Sequence, residues 1–200
     1  MKILNKRNAV IRLGGYLPLI RSVFLRAWAE YNALPLELRI KLTPRSRASI
    51  VHDFVVHAIR ASFDGIDDVR LLEINKLFVM LVGCDVVLRF KKLDDGLRAS
   101  SIPTQQSLDF SNQDDLPGIE RVTHLDAGYR LNALQTTIEG VYVCCPNGAS
   151  VLWYYEIAPE EGEADNVIPL PRPNAPFSGA QITPLGADAS KTQSDDDGES

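Results

Sequence analysis

The chain has 200 residues, 45% hydrophobic and 24% charged, which is the balance of a globular domain with a real core. That composition excludes collagen-like, coiled-coil and wholly disordered classes, and no run of about 18 apolar residues offers a transmembrane helix. The formal net charge of −5 is spread unevenly. Residues 1–60 hold eleven Lys and Arg against three acids, whereas residues 159–200 hold two basic and nine acidic residues. A basic first third suits a polyanion, an acidic partner or the chain's own acidic end.

Residues 1–15 read as a flexible lead-in ending at Gly14-Gly15. Arg12 and Pro18 interrupt the apolar stretch there, so it does not read as a signal peptide. Leu17, Ile20, Phe24, Ala27, Trp28 and Tyr31 recur at helical spacing and predict a helix over about 18–32. This helix either covers the domain or lies as a basic amphipathic segment on a membrane, with Trp28 at the interface. Residues 34–42 alternate strictly, apolar Leu34, Leu36, Leu38, Ile40 and Leu42 against Pro35, Glu37, Arg39 and Lys41. Period two predicts an extended edge strand, with a short helix as the alternative.

Thr43-Pro44 or Ser46 can cap the next helix, whose apolar stripe runs Ile50, Val51, Phe54, Val55, Ala58, Ile59, Phe63. Three strand-like runs follow at Val69–Ile74, Leu77–Val82 and Val86–Phe90, joined by links short enough to force antiparallel hairpins. The middle run is apolar on both faces, as a covered central strand is. A short helix is predicted over about 103–112, then strands at Val122–Leu131, Leu134–Cys145 and Ser150–Ile157. The fold class is therefore α+β. N-terminal helices pack on a mostly antiparallel, meander-like sheet of about six strands, in a single domain over 16–158.

Residues 159–200 contain six prolines, four glycines and an acidic run at Asp195–Asp197, a composition that predicts a disordered acidic tail. Within it, Pro169, Pro171, Arg172 and Pro173 belong to an apolar proline-containing segment suited to docking in a partner's groove.

Little in the sequence points to catalysis. The three histidines, His52, His57 and His124, do not share a helix face, so no metal site is expected. Neither a nucleophile elbow nor a glycine-rich phosphate loop is present, and no cofactor is expected. Cys84, Cys144 and Cys145 are an odd set, read as reduced thiols of a cytoplasmic protein. The order helix, three strands, helix, strand is similar to the PD-(D/E)XK nuclease core. The acid two residues before a lysine is missing, because Arg89 precedes Lys91 and Phe90 precedes Lys92. Arg47 and His52 have the spacing of a HEPN ribonuclease pair, which would stabilise a phosphorane and move protons. HEPN domains are all-helical, and this chain is not. The strongest positive feature is a basic strip, Arg39, Lys41, Arg45, Arg47 and Arg60, placed around the start of the main helix as a binding face.

The segments FDGIDDVRLLEINKLFVMLVGCDVVLRFKKL and LPGIERVTHLDAGYRLNALQTTIEGVYVCCPNG resemble a family of short bacterial and prophage proteins. Members are encoded beside a helix-turn-helix protein with an ImmA/IrrE-type metallopeptidase domain. The resemblance spans about residues 35–157. It implies a toxin-like effector or partner-binding component of a toxin–antitoxin or phage-defence module, with the metallopeptidase-type protein as antitoxin or regulator. It carries no catalytic residue. The alternatives are a nucleic-acid binder or ribonuclease using the basic helix face, and a membrane-perturbing effector.

Overall fold

The computed structural model describes residues 3–100, 102 and 104–159. The tail beyond 159, with Pro169, Pro171, Arg172 and Pro173, lies outside the described residues. The chain builds α1 (Lys6–Leu13), α2 (Leu17–Ala33), α3 (Leu36–Arg39) and α4 (Pro44–Phe63). Strands β1 (Val69–Ile74), β2 (Leu77–Val82) and β3 (Val86–Lys92) follow, then α5 (Gln105–Ser111). Strands β4 (Thr123–Leu131), β5 (Ile138–Asn147) and β6 (Ser150–Glu156) complete the sheet.

The six strands lie side by side in chain order. Every neighbouring pair is antiparallel except β3 with β4, which run parallel from Val86↔Thr123 to Lys92↔Tyr129. The α+β reading with a mostly antiparallel sheet is therefore correct, but the sheet is two meanders joined through one parallel pair. A parallel neighbour needs a long return path, and residues 93–122 with α5 provide it.

Alternation along the strands sorts side chains between two layers. Phe78, Met80, Val82, Val86, Leu88, Phe90, Leu125, Ala127 and Tyr129 face the helices in the main core. Val79, Leu81 and Val87 face the other way, under Phe110 of α5 and Leu116, Ile119 and Val122. The two-sided apolarity of β2 follows from this double cover. Helices α2 and α4 pack together over the first layer, where Arg26 of α2 donates to the Ala58 carbonyl (3.3 Å) and the Ser62 hydroxyl (3.2 Å) of α4.

Two expectations are corrected. Residues 6–13 form a helix and not a flexible lead-in, because Ala9 and Leu13 recur four apart and bury themselves in the core. Asn5 caps this helix by accepting from the Asn8 N–H. The segment is also tied to distant strands. The Leu4 N–H donates to Thr123 Oγ1 (3.0 Å), Trp153 Nε1 donates to the Leu4 carbonyl (3.0 Å), and Arg12 pairs with Asp85 (2.9 Å) and Asp68 (3.2 Å). Residues 34–42 are not an edge strand but contain the single helical turn α3. Pro35 starts it, the Arg39 N–H donating to the Pro35 carbonyl (3.1 Å) and the Ile40 N–H to that of Leu36 (3.0 Å). A strand needs a neighbour to accept its ladder bonds, and the sheet's edges, β1 and β6, lie elsewhere.

Candidate functional site

Two polar regions in the fold call for a functional explanation, and one has a sufficient structural one. On the α5 side of the sheet, Arg89 of β3 faces Asp126 of β4, its parallel-register partner. Nε donates to Oδ1 at 2.7 Å and Nη2 to Oδ2 at 3.1 Å, with both side chains almost fully buried. The same guanidinium reaches the hydroxyls of Ser107 (3.3 Å) and Ser111 (3.4 Å) and lies 4.2 Å from the centre of the Phe110 ring. His124 stacks on the same Phe110 ring, centroids 4.6 Å apart, with Nδ1 3.0 Å from the Phe110 carbonyl. Burial holds the His124 imidazole below the usual histidine range, so it is neutral near pH 7. Gln113 completes the network. Its Oε1 accepts from the His124 N–H (2.8 Å), and its Nε2 donates to the carbonyls of His124 and Pro146 (both 2.9 Å). These groups satisfy one another, and the network pins α5 to β4 and β5.

The neighbouring thiols of β5 point to opposite faces, as adjacent strand residues do, Cys144 into the layer with Tyr142 and Cys145 into the main core. Burial, followed by Asp126, pushes both up to about 12, which leaves them protonated and unreactive. Among the described residues no group of three or more His, Cys, Asp or Glu is placed to hold a metal ion.

The second region is a groove beside the helical layer. Its walls come from the last turns of α2, from α3, from the start of α4 and from the turn between β4 and β5. It encloses about 230 Å³ and is lined by Trp28, Tyr31, Asn32, Leu36, Arg39, Ile40, Arg47, Leu134, Gln135 and Thr136. Three aliphatic side chains are left in solvent there, Leu36 (65% exposed), Ile40 (72%) and Leu134 (81%). The helical turn is what aims two of them, since residues four apart share a helix face. An extended strand would have placed Leu38 beside them, whereas Leu38 does not line the groove.

The polar lining is cationic and incompletely matched. Arg47 donates through Nη2 to Gln135 Oε1 (2.7 Å) and through Nη1 to the Gln135 carbonyl (3.2 Å). Lys92, at the end of β3 and lining the neighbouring crevice that holds His52, approaches the same Oε1 from outside the groove at 3.5 Å. Two cations thus converge on one neutral amide. Burial lowers the Lys92 ammonium below its usual range and Arg47 lowers it further, with Asp95 opposing. Arg39 donates Nη1 to Asn32 Oδ1 (3.0 Å), but its buried Nε has no acceptor. Trp28, 7% exposed, likewise has a buried indole N–H without an acceptor. A buried donor left unpaired costs about 1–3 kcal/mol, which the packing around Trp28 and Arg39 must offset.

The basic strip expected from the sequence is only partly assembled. Arg39 and Arg47 line the groove, Lys41 and Arg45 stand exposed on the connecting turn and the first turn of α4, and none of the four pairs with a carboxylate among the described residues. Arg60 does not belong with them. It lies thirteen residues beyond Arg47 on α4, roughly 20 Å along the helix, where it pairs with Glu73 (3.4 Å) and covers the Phe78 ring. Arg47 and His52 do not converge either. Arg47 goes to Gln135, while His52 is half-buried in a separate crevice with Lys91, Phe90 and Tyr129, its imidazole held low by burial and then by Lys91. The membrane-facing reading of α2 fails on orientation, because Phe24 and Trp28 are both turned into the core. No helix among the described residues is long and apolar enough to cross a membrane.

Comparisons with known proteins add no family. No family model, curated protein or solved structure matches the chain. Sequence reasoning missed the apolar half of the groove. Leu134 read as part of a strand, and Leu36 and Ile40 as one face of another. The available signal was Pro35, which favours a helical start as readily as a strand edge.

Proposed function

We propose that this protein works by binding a partner protein, as the toxin-like effector or partner-binding component of a two-gene toxin–antitoxin or phage-defence module. One observation carries the partner-binding part, namely the groove between α2, α3 and the β4–β5 turn. Leu36, Ile40 and Leu134 stand there in solvent beside Arg39 and Arg47. Apolar side chains clustered at a concave, incompletely satisfied surface favour a macromolecular contact over bare solvent. The toxin–antitoxin context rests on the resemblance of residues 35–157 to short bacterial and prophage proteins encoded beside a metallopeptidase-type regulator.

The test is expression of the full chain alone, and together with the product of the adjacent gene, while growth is followed. The expected result is impaired growth with the protein alone, relief on co-expression, and a stable complex of the two on size-exclusion chromatography. Unimpaired growth with the protein alone refutes the effector role, and separate elution refutes that partner.

A second reading, nucleic-acid binding, is favoured by the absence of carboxylate partners for Arg39, Lys41, Arg45 and Arg47 among the described residues. It predicts a salt-sensitive shift of a single-stranded RNA probe in a filter-binding assay. The groove weighs against it, because it exposes the aliphatic Leu36, Ile40 and Leu134, while the rings of Trp28 and Tyr31 are buried and offer bases little face to stack on.

A further inference from the structure

The chemistry of the groove specifies its occupant more closely than "a protein". Resting on the partner-binding reading, we infer that the groove takes an extended acidic peptide segment of the partner. An aliphatic side chain of that peptide lies on Leu36, Ile40 and Leu134, and a carboxylate lies at Arg47, within reach of Lys92.

Three observations fit together in this assignment. Arg47 and Lys92 share one neutral acceptor, Gln135 Oε1, at 2.7 and 3.5 Å. A carboxylate in place of that amide oxygen converts two like-charged neighbours into a charge-assisted cluster, which is shorter and stronger than the neutral bond it replaces. Arg39 and Arg47 both line the groove, and neither pairs with a carboxylate among the described residues. An extended peptide projects its side chains at regular intervals, so an acidic residue can reach the guanidinium groups while an aliphatic one covers Leu36, Ile40 and Leu134. The aliphatic side chains of the groove stand in solvent, Leu134 on a turn, Leu36 on α3 and Ile40 just after it. This matches Leu, Ile or Val side chains better than nucleobases or sugars. The surrounding charge has the complementary sign, since Lys41 and Arg45 flank the groove while Glu37 is the sole acid between Pro35 and Arg47. Long-range attraction then steers an acidic segment into it.

The probe is an array of terminally blocked octapeptides with acidic, amide and aliphatic residues permuted over all positions, screened with the full chain at low and high salt. The expected result is selective retention of peptides with an Asp or Glu within about three residues of an aliphatic side chain. Amide-for-acid replacement, or raising salt from 50 to 500 mM, should weaken the best peptide at least tenfold. Leu134→Asp and Arg47→Gln should each do the same, and both residues lie at the surface, so thermal melts should show an intact fold. Retention of peptides without acidic residues, binding unchanged in Leu134→Asp, or sedimentation of the chain as a dimer that Leu134→Asp dissolves, overturns the inference. If the two-gene complex forms but survives both Leu134→Asp and Arg47→Gln, the function stands and this assignment alone falls.

Discussion

Replacing Asp126 with Ala tests whether the buried polar network holds the second meander to the first. In the native fold Arg89 is 1% exposed and makes two bonds to Asp126, at 2.7 and 3.1 Å. Without the carboxylate, the guanidinium keeps only Ser107 and Ser111, at 3.3 and 3.4 Å, and the Phe110 ring. It cannot shed its proton, and β3, β4 and α5 leave it no path to water. Removing one partner of a buried pair costs about 3–5 kcal/mol, a large share of the roughly 5–15 kcal/mol that holds a domain together. For a slope of about 1–3 kcal/mol per molar urea, the midpoint falls by at least about 1 M. The assay is urea unfolding followed by fluorescence of Trp28 and Trp153. Replacing both partners, Arg89→Met with Asp126→Leu, should recover most of the loss, since it leaves no buried charge. A cost under about 1 kcal/mol for Asp126→Ala, or a double variant less stable than either single one, refutes the reasoning.

Further predictions concern the rest of the framework. Gln113→Leu strips partners from the His124 N–H and the carbonyls of His124 and Pro146, and should cost about 2–4 kcal/mol in the same assay. Gly128→Val should prevent folding, judged by loss of soluble protein or a molten circular-dichroism spectrum, because a Cβ there meets the Lys91 carbonyl at 2.5 Å and Leu93 Cγ at 2.6 Å. Gly83→Ala places a methyl where the Arg12 guanidinium sits, at a backbone φ of +59°. It should lower stability by about 1–2 kcal/mol by moving Arg12 off Asp68 and Asp85. His52 and His124 both have folded pKa values below the unfolded value of 6.5. Their contribution is therefore complete above pH 6.5 and is lost as the pH falls from there through the folded values, where the unfolded chain binds protons the native state does not. Stability should decline between pH 7 and pH 5, and the slope should be shallower in His124→Gln; an unchanged slope would contradict burial as the cause.

Much of the scaffold was legible because its signals are local. The stripe from Ile50 to Phe63 and the Thr43 cap define α4 within a residue. The two-residue link Asn75-Lys76 fixes the β1–β2 hairpin, both residues adopting the positive φ that a tight turn requires. What escaped detection depends on distant partners. Strict alternation at 34–42 carries the same pattern whether the chain extends or turns once, and only the absence of an adjoining strand decides it. Likewise Arg89 in a strand reads as a solvent-facing position until α5 covers it, and nothing near it in sequence announces Asp126. The groove was half visible, as basic residues, because charge can be counted along a chain. Its apolar half came from α3 and the β4–β5 turn, which meet only in the folded molecule.

The parallel pairing of β3 with β4 has a consequence for how the chain assembles. Each trio of strands can zip from its own hairpins, at small cost in chain entropy. Val86 and Thr123, by contrast, must find each other across a connection that gains nothing until α5 docks. Closing this seam, with the Arg89–Asp126 clasp inside it, is then the slow act of refolding, and a chain nicked in the loop after α5 should yield two fragments that reassociate along it.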